Sequence, residues 1–80
     1  MNKNEIFEIL KKNLIELFEI DEKLITLDAK IYEDLDIDSI DAIDLIDSIK
    51  KKTGYRLEPN DFKNVRTLGD IVEAVASKAL

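Results

Sequence analysis

Ser39 stands in the run Asp34-Leu35-Asp36-Ile37-Asp38-Ser39-Ile40-Asp41-Ala42-Ile43-Asp44-Leu45-Ile46-Asp47, which holds the residues best placed to do chemistry. From Glu33 to Asp47 there are seven acidic residues and no basic one. A serine hydroxyl turns into a catalytic nucleophile when a neighbouring base takes its proton. The chain contains neither histidine nor cysteine. A Ser-His-Asp triad, an imidazole base and the usual zinc sites are thereby ruled out. Ser39 suits the role of an acceptor, modified by another protein, better than that of a catalyst. A phosphodiester on its oxygen would meet the positive end of a helix, which favours an anion. The surrounding aspartates oppose it, so the modifying enzyme has to bring cations.

Asp34, Asp36 and Asp38 also match the first three ligand positions of a calcium loop. That loop needs glycine where Ser39 stands and a bidentate glutamate where Leu45 stands. Both positions fail, and no metal site is expected.

The element that presents Ser39 is a helix, predicted to start at Asp38 or Ser39 and run to about Lys52. Serine is a favoured N-cap, but so is aspartate, and with Asp38 adjacent one of the two is free for other work. Thr53-Gly54 supplies the stop, and Lys50, Lys51 and Lys52 suit the negative end of the helix dipole. On a helical wheel, Ala42, Leu45, Ile46 and Ile49 share one face, the core face. Ile40, Ile43, Asp44 and Asp47 share another, with Ser39 at its upper end. Two isoleucines framed by carboxylates form a docking surface, contact area from the apolar groups and steering from the charges. The plain alternative is a solvated acidic face. Against it, Asp38/Asp41, Asp41/Asp44 and Asp44/Asp47 are like charges at (i, i+3), each costing about 0.2–0.5 kcal/mol. Asp44 and Asp47 lie beyond the dipole's reach, so nothing local offsets that cost.

Around this helix the chain reads as all-α, one domain over residues 1–80: a small four-helix bundle with three main helices, a short third helix, and a long loop between the first two. Gly occurs twice and Pro once. A first helix is predicted over Lys3–Phe18, opened by capping-box spacing between Asn2 and Glu5, with Ile6, Phe7, Leu10, Leu14, Leu17 and Phe18 facing inward. Residues 21–38 form a long connection whose Leu24, Ile25, Leu27, Ile31, Tyr32 and Leu35 should pack on the bundle; a loop this long in a small domain is usually functional. Pro59 opens a short turn to about Lys63 with Phe62 inward. Thr67-Leu68-Gly69-Asp70 opens the last helix, which carries Ile71, Val72, Val75 and Ala76.

A net charge of −6 argues against nucleic acid and anionic membranes, and for partners with basic patches. The start Met1-Asn2-Lys3-Asn4 leads into no apolar run, so neither a signal peptide nor stable membrane insertion is expected. With no cysteine, a reducing, cytoplasmic compartment is the expectation, and the chain is expected to be a monomer.

These residues resemble the acyl carrier proteins, and more broadly the phosphopantetheine-binding carrier domains. Asp34-Leu35-Asp36-Ile37-Asp38-Ser39-Ile40 follows the family pattern Asp-Leu-Gly-x-Asp-Ser-Leu, with Asp36 for the glycine and Ile40 for the leucine. The likeness extends over Ile25-Thr26, the acidic second helix, and Leu57, Phe62, Val65, Thr67-Leu68 and Ile71. It implies that Ser39 takes 4′-phosphopantetheine from coenzyme A through a separate phosphopantetheinyl transferase. Acyl intermediates would then hang as thioesters from the arm, and the chain itself would catalyse nothing. Asp38 would help position the serine and bind the transferase. Ile40, Asp41, Ile43, Asp44 and Asp47 would face basic patches on acyl-transferring and ketosynthase-type enzymes. In this family the acyl chain can retreat into the bundle, here against Ile46, Ile49, Val65 and Ile71.

Departures from the family pattern are Lys50-Lys51-Lys52 at the usually acidic end of the second helix, and Asp47 where an apolar residue is common. A basic patch continues with Arg56, Lys63 and Arg66. Asp-Ser-Ile-Asp-Ala-Ile-Asp-Leu, with Thr53-Gly54 and Val65-Arg66-Thr67-Leu68, is similar to specialised bacterial carriers such as those of aryl-polyene clusters. The pathway, fatty-acid or specialised lipid and polyketide-like synthesis, stays open. The competing class is an unmodified acidic helical interaction module.

Overall fold

Each helix of the computed structural model, which describes residues 2–79, begins where a side chain can satisfy its free amides. Asn2 Oδ1 accepts from the Glu5 N–H at 2.8 Å and Glu5 reaches back to the Asn2 N–H, closing the capping box that opens α1 (Lys3–Phe18). Asp38 caps α2 (Ser39–Thr53), and Gly54 ends it at φ 82°, a left-handed conformation that suits a residue without Cβ. Asp61 accepts from the Glu58 N–H at the head of the short α3 (Pro59–Lys63). Thr67 Oγ1 accepts from the Asp70 N–H, and Asp70 Oδ2 accepts from the Arg66 and Thr67 N–H groups, opening α4 (Leu68–Ala79). The fold is all-α: these four helices, one 3-10 turn at Glu22–Leu24, and no strand among the described residues.

The core lies between α1, α2 and α4. Ile6, Leu10 and Leu14 of α1 meet Ala42, Leu45 and Ile49 of α2 and Ile71, Val72 and Val75 of α4, all buried. Phe7 and Phe18 are half-buried at its edge. Leu17 is a correction to the apolar stripe: it is 46% exposed, because it lies on the last turn of α1, beyond full cover. Asn13 is buried among the apolar residues, and its Nδ2 has no hydrogen-bond partner among the described residues.

The long loop packs on the bundle with Ile25, Ala29, Ile31, Leu35 and Ile37, whereas Leu24, Leu27 and Tyr32 are exposed, contrary to expectation. The loop's own backbone decides this. The Ile31 N–H donates to Arg66 O, and the Leu68 and Gly69 N–H groups donate to Ala29 O and Leu27 O, fixing alternate loop residues against the start of α4. A Cβ on Gly69 would lie 3.1 Å from Leu27 O, so any side chain there would push this contact apart by a few tenths of an ångström. Asp36, in the position where the carrier pattern has glycine, adopts φ 57°. Aspartate is among the few non-glycine residues that visit this region readily, which explains how the substitution is accommodated.

Candidate functional site

Asp38 and Ser39 divide the work at the head of α2. Asp38 has extended backbone angles, and its Oδ1 accepts from the Asp41 N–H at 2.8 Å. Ser39 is the first helical residue and is exposed, with its hydroxyl outside the cap hydrogen bond. Asp34, in the loop before the helix, accepts from the Lys30 N–H at 2.8 Å and pins the approach to it. Asp34, Asp36 and Asp38 therefore serve a loop closure, a left-handed turn and a helix cap. Among the described residues, no cluster of three or more metal-ligating side chains is assembled.

Ser39 borders a groove of about 530 Å³ between α2 and the segment running through α3. Its walls include Ala42, Ile43 and Ile46 from α2, and Leu57, Phe62 and Val65 from the opposite side. Tyr32 closes one part of the rim, while Asp47, Arg56 and Lys63 add charges. From Ser39 to Asp47 the groove follows about 12 Å of helix. An exposed hydroxyl at the edge of an elongated, mostly apolar cleft fits a long flexible arm and an acyl chain. Of the residues that the resemblance offers to an acyl chain, Ile46 and Val65 line the groove and Ile49 and Ile71 do not. Leu57, Phe62 and Ala42 line it as well. Of these, Phe62 carried a sequence signal, as an inward aromatic on a short helical turn.

The other recognition residues do not share one plane. Ile40 and Ile43 are 71% and 59% exposed, with no covering element. Asp44 and Asp47 are exposed beside them. Asp41 is half-buried, turned toward α1, where with Asp44, Asp47 and Ser48 it borders a second groove of about 380 Å³ closed by Leu17, Phe18 and Lys51. Asp47 belongs to both grooves and marks the ridge between them. No described helix is long and apolar enough to cross a membrane.

Residues 8–75 match the family model for the phosphopantetheine attachment site. The chain is 44% identical over 77 residues to acyl carrier protein 2 of Ralstonia nicotianae, covering 96% of this chain and 95% of that protein. It is 31% identical over 78 residues to the acyl carrier protein of Petrotoga mobilis, covering 98% of this chain and 92% of the relative. With the acyl carrier protein of Thermotoga maritima the identity is 32% over 77 residues, covering 96% and 95%. The sequence pattern, the helical fold and these likenesses converge: the chain belongs to the acyl carrier proteins, which bear a 4′-phosphopantetheine group, carry acyl intermediates and are not themselves catalysts.

Proposed function

We propose that residues 1–80 act as one cytoplasmic carrier domain in which the Ser39 hydroxyl takes the 4′-phosphopantetheinyl group of coenzyme A. The observation that carries this reading is the division of labour at the α2 N-terminus. Asp38 holds the cap through its 2.8 Å hydrogen bond, and the neighbouring hydroxyl is exposed at the rim of an apolar groove. When the group is attached, its terminal thiol supplies the thioester linkage that the chain, without cysteine, cannot make. The protein's own residues orient and shelter. The first turn of α2 offers its amide end to the phosphate, and Ala42, Ile46, Leu57, Phe62 and Val65 give the acyl chain an apolar lining.

Carrier proteins of this family work with phosphopantetheinyl transferases and acyl-processing enzymes. Here Asp38, Ile40, Ile43, Asp44 and Asp47 form the face that such partners read, with Asp41 contributing from its α1 side. The exposed isoleucines provide contact and the carboxylates attract basic surfaces. The reactions served are fatty-acid or specialised lipid and polyketide-like synthesis, with ketosynthase-type enzymes among the partners.

Co-expression with a phosphopantetheinyl transferase, followed by intact-mass measurement, tests the attachment. The expected result is a gain of one phosphopantetheinyl group, absent from Ser39→Ala. Failure of several competent transferases to modify the wild-type chain would refute the reading.

A further inference from the structure

The groove beside Ser39 has rims of opposite sign. On the α2 side Asp47 lines the groove, with Asp38 exposed at the head of α2 and Asp44 exposed beyond the Asp47 ridge, in the second groove. Across the groove lie Arg56 and Lys63. A neighbouring groove of about 520 Å³ is lined by Lys63 and Arg66, with Lys30, Glu33, Thr67 and Asp70. Tyr32, Lys63 and Val65 line both grooves, so the basic rim is continuous from one to the other.

Among the described residues these cations form no salt bridge, and Arg66 acts on Asp70 only through its nearby charge. The ion pairs among the described residues join Lys3 to Glu73, Lys11 to Glu22, Lys30 to Glu33 and Lys78 to Asp61. Arg56, Lys63 and Arg66 are exposed and belong to none of them. The anions on their side are already engaged. Asp61 is held by Lys78, Glu33 by Lys30, and Asp70 by the backbone amides of Arg66 and Thr67. Asp47 lines the same groove as Arg56 and Lys63 yet pairs with neither.

Resting on the carrier reading above, we infer that partner enzymes read both rims at once: basic groups opposite α2, and acidic groups opposite Arg56, Lys63 and Arg66. Complementary charge on exposed rims sets association rate and partner choice more than final affinity. At physiological salt the screening length is about 8 Å. A partner's charges therefore respond mainly to the rim residues they approach closely. A partner whose whole docking face is basic meets attraction from Asp44 and Asp47 but repulsion from Lys63 and Arg66. Repulsion of that kind narrows the set of accepted enzymes without adding contacts. Arg56 and Lys63 line the groove that Ser39 borders, so an enzyme that engages this groove meets the basic rim.

The test uses the full-length holo chain and an acyl-transferring enzyme that accepts it. The variants are Lys63→Glu/Arg66→Glu, the milder Lys63→Gln/Arg66→Gln, and Asp44→Lys. Attachment at Ser39 is confirmed by mass on the wild-type chain, so a failure of the carrier reading shows up separately as an unmodified wild-type chain, and the variants are compared only once fully modified. The double charge reversal should lower kcat/KM on the order of tenfold at low salt, mainly through KM. The glutamine pair should fall between it and wild type, and the difference should vanish near about 1 M salt. Replacing the facing acidic residue of the enzyme by lysine should restore the rate with the reversed carrier. An unchanged or faster rate would overturn the proposal. So would a variant that alters only the hydrolytic protection of the bound thioester, which would assign the cations to the cargo.

Discussion

Removing the Asp38 carboxylate should weaken the fold by a predictable amount and also draw Ser39 into a structural role. Asp38 Oδ1 makes one hydrogen bond at the head of α2, 2.8 Å to the Asp41 N–H. Loss of such a cap costs about 1 kcal/mol. In a domain of this size that lowers the melting temperature by about 4–8 °C. Asp38→Ala should show this loss. Asp38→Asn, which keeps an accepting oxygen, should lose less than half of it. In Asp38→Ala the nearest replacement cap is Ser39 itself, one residue later, which would shorten α2 at its start and tie up the hydroxyl. Thermal melts by circular dichroism measure the first effect. The initial rate of phosphopantetheinylation measures the second, with Asp38→Asn as the control that loses charge but keeps the cap. Equal melting temperatures for wild type and Asp38→Ala would refute the division of labour between the two residues. Equal losses in both variants would assign the effect to charge rather than to the hydrogen bond.

Asn13→Leu should raise stability by about 1–2 kcal/mol in urea titrations, because Asn13 is buried with Nδ2 unpartnered and leucine has nearly its shape; a loss would mean that the amide is satisfied in solution. Gly54→Ala should cost about 1 kcal/mol through the left-handed φ of 82° alone, since a Cβ there meets nothing within 4 Å; no change in denaturation midpoint would count against that. Asp70 is held below the usual carboxylate range by hydrogen bonds from the Arg66 and Thr67 amides. Its contribution to stability is therefore full above the unfolded value of about 3.9 and is lost as the pH falls through the lower folded value. Asp70→Asn should accordingly flatten the acid limb of a stability–pH profile, and an unaltered limb would contradict the assignment.

The helices were legible because their signals are local. Asn2 and Glu5, Thr67 and Asp70, and Gly54 each act within a single turn, so neighbouring residues in sequence suffice to read them. Ser39 was legible for the same reason: two capping residues in succession leave one unemployed. Leu17, Leu24, Leu27 and Tyr32 misled because periodicity reports which side of a segment is apolar, not how far the covering elements extend. Asn13 interrupts a stripe that pattern alone assigns to apolar groups. The groove wall was the least legible part. Leu57, Phe62 and Val65 reach Ser39 through a fold in which residues far apart in sequence meet, and no local spacing encodes that. The positive φ of Asp36 carried a weak signal, the glycine of the family pattern at the same position.

The hydrogen bonds from Ile31 to Arg66, and from Leu68 and Gly69 to Ala29 and Leu27, have a consequence for the order in which the molecule matures. Synthesis delivers the chain from its N-terminus, and α1 and α2 can form from local contacts as they emerge. The stretch leading into Ser39 cannot take its final course until the entrance to α4 exists to receive it. Closing that span is a non-local event, slower than helix growth. The loop that leads into Ser39 thus completes its course late, and a transferase that demands that course would distinguish finished carriers from nascent ones.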